Sequence, residues 1–192
     1  MQPQQFSPTS PFAFWDGAFT PAELDRIEAL GEAHTVAKAT LMGGTEEDEY
    51  ADIRVTRTSW INPSAETKWL YDRMQGVVRT INDQVWQFDI RGFSEHFQYA
   101  IYGGSEGGHF DWHVDQGDLV KSRKLSLSLQ LTDPSEYDGC ELQLNGGRRI
   151  QTAPKSRGTV VVFPSYVLHR VTPITRGIRK ALVVWTTGPK FR

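Results

Sequence analysis

The sequence predicts an α+β, mainly β protein in which N-terminal helices support a double-sheet jelly roll. Three observations lead there. Apolar residues recur at helical spacing in two stretches before residue 92; after Gly92 the chain turns to short β-type runs punctuated by Gly, Pro, Asn and Asp; and the two patterns do not alternate, which argues against the βαβ units of a parallel sheet. With 192 residues, 39% of them hydrophobic, the chain is sized for one core. Residues 1–192 are therefore read as a single domain: a loose terminus over 1–11, mainly helical support over 12–92 and the jelly-roll core over 93–192.

The first eleven residues are rich in Gln, Pro and Ser, and the first apolar block is Phe12-Ala13-Phe14-Trp15. Thr20-Pro21-Ala22-Glu23 then sets a hydroxyl at an N-cap, proline at the first helical position and a carboxylate three residues after the cap. Leu24, Ile27 and Leu30 follow at helical spacing, and Gly31 is the predicted end. Gly43-Gly44-Thr45-Glu46-Glu47-Asp48-Glu49 has no periodicity and reads as an exposed acidic loop, a candidate lid. A second helix is expected from near Asn62-Pro63, with Leu70, Met74, Val77, Val78, Ile81 and Val85 on one stripe. Strands are expected over 97–102, 125–131, 141–144, 159–163 and 178–186. In the second of these, leucine alternates strictly with polar residues, so one face is packed and the other is free to line a polar cavity.

Composition narrows the function. The formal net charge is −2 and there is no run of Lys or Arg long enough to track phosphates, so nucleic acid is not an expected partner. Cys140 is the sole cysteine, which rules out an intramolecular disulfide framework; it reads as a small packed residue. The first residues lack the basic and apolar regions of a signal peptide, and no stretch approaches the roughly 18 apolar residues needed to span a bilayer. A cytoplasmic protein without membrane association is expected.

The most informative stretch carries two His-x-Asp triplets, His109-Phe110-Asp111 and His113-Val114-Asp115. In an extended strand, residues two apart share a face, so the imidazole and carboxylate of one triplet converge on a single ion. One distant histidine completes a two-His, one-carboxylate face that leaves other coordination positions open, a set used by both zinc enzymes and iron oxygenases. His169, just past a buried-looking strand, is placed to be that ligand. Arg179 follows ten residues later at the start of the next strand. An inward-pointing arginine beside a metal is costly unless an anion arrives, and a dicarboxylate co-substrate is such an anion.

Residues 98–192 resemble the 2-oxoglutarate and iron(II)-dependent oxygenases of the prolyl 4-hydroxylase-like superfamily. The resemblance rests on Tyr102, on Gly107-Gly108-His109-Phe110-Asp111-Trp112-His113-Val114-Asp115, on Arg123-Lys124-Leu125-Ser126-Leu127-Ser128-Leu129, on Asp138-Gly139-Cys140-Glu141-Leu142, and on Phe163-Pro164 through His169 to Gly177-Ile178-Arg179 and Trp185. It implies a double-stranded β-helix core, with iron(II) held by His113, Asp115 and His169 and 2-oxoglutarate anchored by Arg179 beside Tyr102. His109 falls on a position the family leaves variable, so His109 and Asp111 become candidates to back the ligands or touch substrate; Trp185 matches an aromatic that shapes the cavity wall. The implied reaction consumes O2 and 2-oxoglutarate, with ascorbate as an optional reductant, and hydroxylates an aliphatic C–H of a prolyl or other side chain in a protein or peptide. Two alternatives stay open: a 2-oxoglutarate oxygenase acting on a free amino acid or small metabolite, and a non-catalytic jelly-roll module binding a ligand in the same cavity. A metal-only isomerase or dioxygenase leaves Arg179 unexplained.

Overall fold

A strand with leucine at every second position must bury one face, and the architecture follows from where that face goes. The computed structural model describes residues 10–34, 36–39, 53–93, 95–117, 120, 122–147 and 149–191; the acidic segment 43–49, read as a candidate lid, lies outside them. The described elements begin with β1 (Ala13–Trp15), α1 (Pro21–Glu32), β2 (Ala37–Lys38), β3 (Arg54–Val55), β4 (Arg57–Ile61), α2 (Lys68–Val85) and β5 (Gly92–Phe93). They continue with β6 (Phe97–Gly103), β7 (His109–His113), β8 (Arg123–Gln130), β9 (Asp138–Gly139), β10 (Leu142–Asn145) and β11 (Ile150–Thr152), then β12 (Val160–Pro164), β13 (Leu168–Val171), β14 (Ile174–Arg176) and β15 (Ile178–Thr187).

The larger sheet has the order β1-β12-β8-β15-β6-β4-β2, with β5 paired to the end of β15; the smaller runs β11-β10-β13-β7-β3, and β9 and β14 form a ribbon. The pairings are antiparallel. Leu125, Leu127 and Leu129 of β8, with Val160, Val162, Leu182 and Val184 of its neighbours, meet Leu24, Ile27 and Leu30 of α1 and Leu70, Met74, Val77, Val78 and Ile81 of α2. At roughly 1.5–3 kcal/mol for each fully buried aliphatic side chain, this outer layer is a dominant apolar contribution. The opposite face of the larger sheet packs Ala100, Tyr102, Val161 and Phe163 against Leu142, Leu144 and Val171 of the smaller sheet. No described helix is long and apolar enough to cross a membrane.

The strands expected in the second half are present with boundaries moved by a residue or two. The first half differs more. The segment 12–92 supplies both helices but also five short strands, which extend both sheets. Four of the five have only two or three residues, too few positions to show a period, so the sequence does not announce them. The Thr20 capping box forms, with Glu23 N–H donating to Thr20 Oγ1 at 3.3 Å and Thr20 N–H donating to Glu23 Oε2 at 2.7 Å. Gly31 does not end α1, which runs to Glu32. Its small size serves packing instead, because a Cβ there would stand 2.3 Å from the Tyr99 ring. The second helix starts at Lys68 rather than near Asn62-Pro63: a residue before proline is disfavoured in α geometry, and Thr67 Oγ1 donates to Asn62 O at 2.6 Å, closing a turn first.

Two glycines on the helices should behave oppositely. Gly31→Ala forces the Tyr99 ring aside and should lower stability by about 1–3 kcal/mol in urea unfolding. Gly76→Ala, on the exposed side of α2 with open space around it, should raise stability by about 0.5–1 kcal/mol in the same assay.

Candidate active site

Because side chains alternate along a strand, the face of β8 and β15 turned away from the helices presents Ser126 and Ser128, and Arg179, Ala181, Val183 and Trp185. Facing them across the gap are Phe110 and His113 of β7 and His169 and Val171 of β13. The space between is a cavity of about 640 Å³. The leucine face and the serine face of β8 thus occupy the two environments the alternation implies.

A bulge in β7 selects which triplet looks inward. His169 pairs with His113, but two residues on, Val171 pairs with Phe110, so three steps on β7 oppose two on β13. The extra residue breaks the alternation, putting Phe110 and His113 on the same side, stacked at 3.5 Å and 11°. His109 and Asp111 stay outside the cavity lining. His109 Nδ1 bonds to the Gly107 carbonyl at 2.9 Å, and Asp111 is exposed. The turn into β7 needs its glycines: Gly107 has φ 63°, and a Cβ on Gly108 would lie 2.9 Å from the Gly103 nitrogen.

His113, Asp115 and His169 bring one ligand atom each to within 4.8 Å of one another. Their separations are 3.7 Å for His113 Nε2 to Asp115 Oδ1 and 3.5 Å for His169 Nε2 to Asp115 Oδ2. Both rings donate Nδ1–H to backbone carbonyls, His113 to Asp111 O at 2.7 Å and His169 to Val167 O at 2.9 Å. This fixes the tautomer and turns both Nε2 lone pairs toward the carboxylate. Asp115 is held from two sides: its N–H donates to Ser165 O at 2.9 Å, and its carbonyl accepts from Arg123 Nη1 at 3.1 Å. Arg123 is in turn paired with Glu95 and lies 4.1 Å over the Trp185 ring. Two imidazole nitrogens and one carboxylate fit ferrous iron among the divalent metals, and three protein ligands leave positions for other groups.

Burial pushes the His113 pKa down from 6.5 to about 4, with the neighbouring His169 adding to the shift. Burial works against the Asp115 charge, but His169 and His113 outweigh it and hold the carboxyl below its ordinary range.

Arg179 is buried on β15. Its Nε and Nη2 donate to Gln130 Oε1 at 3.2 and 2.8 Å, and the Tyr102 ring lies 5.3 Å from the guanidinium. No carboxylate among the described residues pairs with it. Cys140, buried nearby at φ 50°, has its thiol pKa pushed up by burial. Trp185 lines the cavity wall 6.4 Å from Trp60. The sequence reading missed Arg54, Gln98, Trp60 and the Glu95–Arg123 pair, all of which line the same cavity. Arg54, Trp60, Glu95 and Gln98 precede the recognisable stretch or sit at its edge, and only sheet pairing brings them to the site.

The His113 shift has a sign that can be measured on metal-free protein. The unfolded chain takes up this proton near pH 6.5 and the folded chain near pH 4, so the contribution is complete above pH 6.5 and is lost as pH falls toward 4. Urea unfolding should show about 3 kcal/mol lost across that window, and His113→Phe should remove most of the slope. The Asp115 contribution lies lower, being lost only as pH falls below the ordinary carboxylate range.

Residues 97–187 match the model of the 2OG-Fe(II) oxygenase superfamily. A PKHD-type hydroxylase of Pseudomonas fluorescens is 37% identical over 185 residues, covering 88% of this chain and 75% of that protein. A PKHD-type hydroxylase of Teredinibacter turnerae is 41% identical over 85 residues, a match that covers 41% of this chain and only 38% of that protein. Among solved structures, a prolyl hydroxylase from Trichoplax adhaerens, in complex with a hypoxia inducible factor peptide fragment, superposes with a TM-score of 0.75 at 17% identity, over 92% of this chain and 83% of that one. The family match, the 185-residue relative and the His-Asp-His cluster agree: this chain belongs to the 2OG-Fe(II) oxygenase superfamily, and its fold is the one seen in solved prolyl hydroxylases.

Proposed function

We propose that this chain is a 2-oxoglutarate- and iron(II)-dependent dioxygenase that hydroxylates an aliphatic C–H of a prolyl or other side chain in a protein or peptide. One observation carries the reading: a His-Asp-His cluster and a buried arginine that has no carboxylate partner among the described residues open into the same cavity. In this reading His113, Asp115 and His169 hold the iron, and Arg179 anchors the distal carboxylate of 2-oxoglutarate beside Tyr102. Bound together, iron(II), 2-oxoglutarate and O2 supply an oxidant able to hydroxylate an unactivated C–H, with succinate and carbon dioxide as co-products.

The protein's share is positioning. Gln130 takes Nε and one N–H of Nη2, which orients the guanidinium and leaves further donors for a carboxylate. The carbonyls behind His113 and His169 keep both rings turned to the metal. Phe110, Phe163 and Trp185 surround the ligands with apolar surface that keeps water from the reacting centre. The rim is apolar as well, with Ile53, Trp60 and Val114 exposed at 38%, 40% and 45%. Such a mouth suits an apolar side chain presented on a peptide, and the peptide carried by the Trichoplax structural neighbour supports the same substrate class.

Anaerobic titration of the metal-free protein with iron(II) and 2-oxoglutarate should produce the visible metal-to-ligand charge-transfer band of a chelated keto acid. His113→Ala should abolish it and His109→Ala should leave it. Arg179→Met should raise the 2-oxoglutarate concentration for half-saturation by about tenfold to a hundredfold, the loss expected for a charged hydrogen-bonded anchor. Folded protein that binds iron without the band would overturn the assignment.

A further inference from the structure

A second guanidinium faces the cavity, and the proposed reaction leaves it without work. Arg54 stands on β3, the edge of the smaller sheet, in register with Phe110. Its guanidinium lies 4.6 Å from the centre of the Phe110 ring, the ring that also stacks on His113, so a single aromatic links it to the metal ligands. Nη2 donates to the neutral amide oxygen of Gln98 at 3.0 Å. Nε is buried with no acceptor, and no carboxylate among the described residues forms an ion pair with this arginine. A half-buried cation whose Nε is sealed from water in this state is destabilising unless something else completes it.

A charge count says what completes it. Among the described residues, the lining groups that carry full charge are Arg54, Glu95, Asp115, Arg123 and Arg179, and Glu95 pairs with Arg123. Once iron(II) and 2-oxoglutarate are seated, Asp115 and the co-substrate bring three negative charges against four positive ones on the ion, Arg179 and Arg54. The positive charge left over belongs to Arg54, because the ion faces Asp115 and the chelating end of the co-substrate while Arg179 takes the distal carboxylate. A neutral carbonyl would fill a hydrogen bond but leave that charge standing.

We propose that Arg54 is a specificity-determining residue that docks a carboxylate of the prime substrate, so that the preferred substrate is anionic beside the carbon that is hydroxylated. This rests on the oxygenase reading above and sharpens its substrate class. The carboxylate has two sources of the same chemistry: the terminal carboxylate of the modified residue, or the side chain of an acidic neighbour in a peptide.

The test uses protein loaded with iron(II) and 2-oxoglutarate under argon, so that binding is read by calorimetry without turnover. Two matched pairs serve as probes: N-acetyl-L-proline against its amide, and acetyl-alanyl-prolyl-glutamyl-alanine amide against the same peptide with glutamine in place of glutamate. In wild type, the carboxylate member of at least one pair should bind about tenfold or more tightly than its neutral partner, and the pair that discriminates identifies the source. Arg54→Met should erase the difference while keeping the charge-transfer band and its 2-oxoglutarate dependence, and Arg54→Lys should restore part of it. Equal binding within both pairs, no binding by any probe, or discrimination that survives Arg54→Met overturns the proposal. So does loss of 2-oxoglutarate affinity in Arg54→Met, which would assign Arg54 to the co-substrate instead. A wild type without the band overturns the oxygenase reading and this proposal with it, whereas a band with equal binding overturns this proposal alone.

Discussion

Two-faced alternation along β8 and β15 is the constraint on which the rest of the molecule depends. On one face Leu125, Leu127, Leu129, Leu182 and Val184 are sealed under α1 and α2; on the other Ser126, Ser128, Gln130 and Arg179 stand toward the smaller sheet. A slip of one residue in either strand would drive the arginine into the helix layer and the leucines into the cavity. The apolar layer therefore enforces the register of the polar one. Helices that touch no ligand matter to the site because they fix which face of these central strands looks inward.

The smaller sheet solves a different problem, how to bring the three candidate ligands together from β7, the residues after it, and β13. Regular pleating would have aligned His109, Asp111 and His113 on one face, crowding the centre with donors. The bulge in β7 turns the first triplet outward and lets His113 meet His169 across the ladder, with Asp115 supplied from the residues just after the strand. Arg123 connects the two sheets at this point, since it rises from β8, pairs with Glu95 and accepts the task of holding the Asp115 carbonyl. Ligand geometry is thereby tied to the same strand whose leucines hold the helices.

Electrostatically the cavity is set by its arginines and what they are paired with among the described residues. Among the described residues, Arg179 and Arg54 are held by the neutral amides of Gln130 and Gln98 rather than by carboxylates. An amide aims a guanidinium without discharging it, so the attraction is kept for what enters. Arg123, whose role is positional, is by contrast paired with an acid. The difference in partner separates the arginine that holds Asp115 in place from the two that the proposals above assign to carboxylates.

Much of this was legible in the sequence because it is local or periodic. The two helical stripes, the leucine alternation of β8 and the strands of the second half are patterns within single elements, and His113, Asp115, His169 and Arg179 lie in short motifs. What the sequence by itself determined was the class of fold and the His113, Asp115, His169 and Arg179 candidates within the cavity, not the residues around them. The tertiary structure decided which residues share a space. Arg54 and Phe110 are 56 positions apart and meet only because β3 adds to the edge of the smaller sheet, and strands of two or three residues have no period to read. The bulge that separates His113 from His109 arises from how β7 pairs with β13, and Gly31 ends no helix because its environment is set by Tyr99 on a strand 68 residues later. Period and motif report what one segment prefers; register, bulges and edge pairing depend on the partner strand, and that information is not contained in either segment alone.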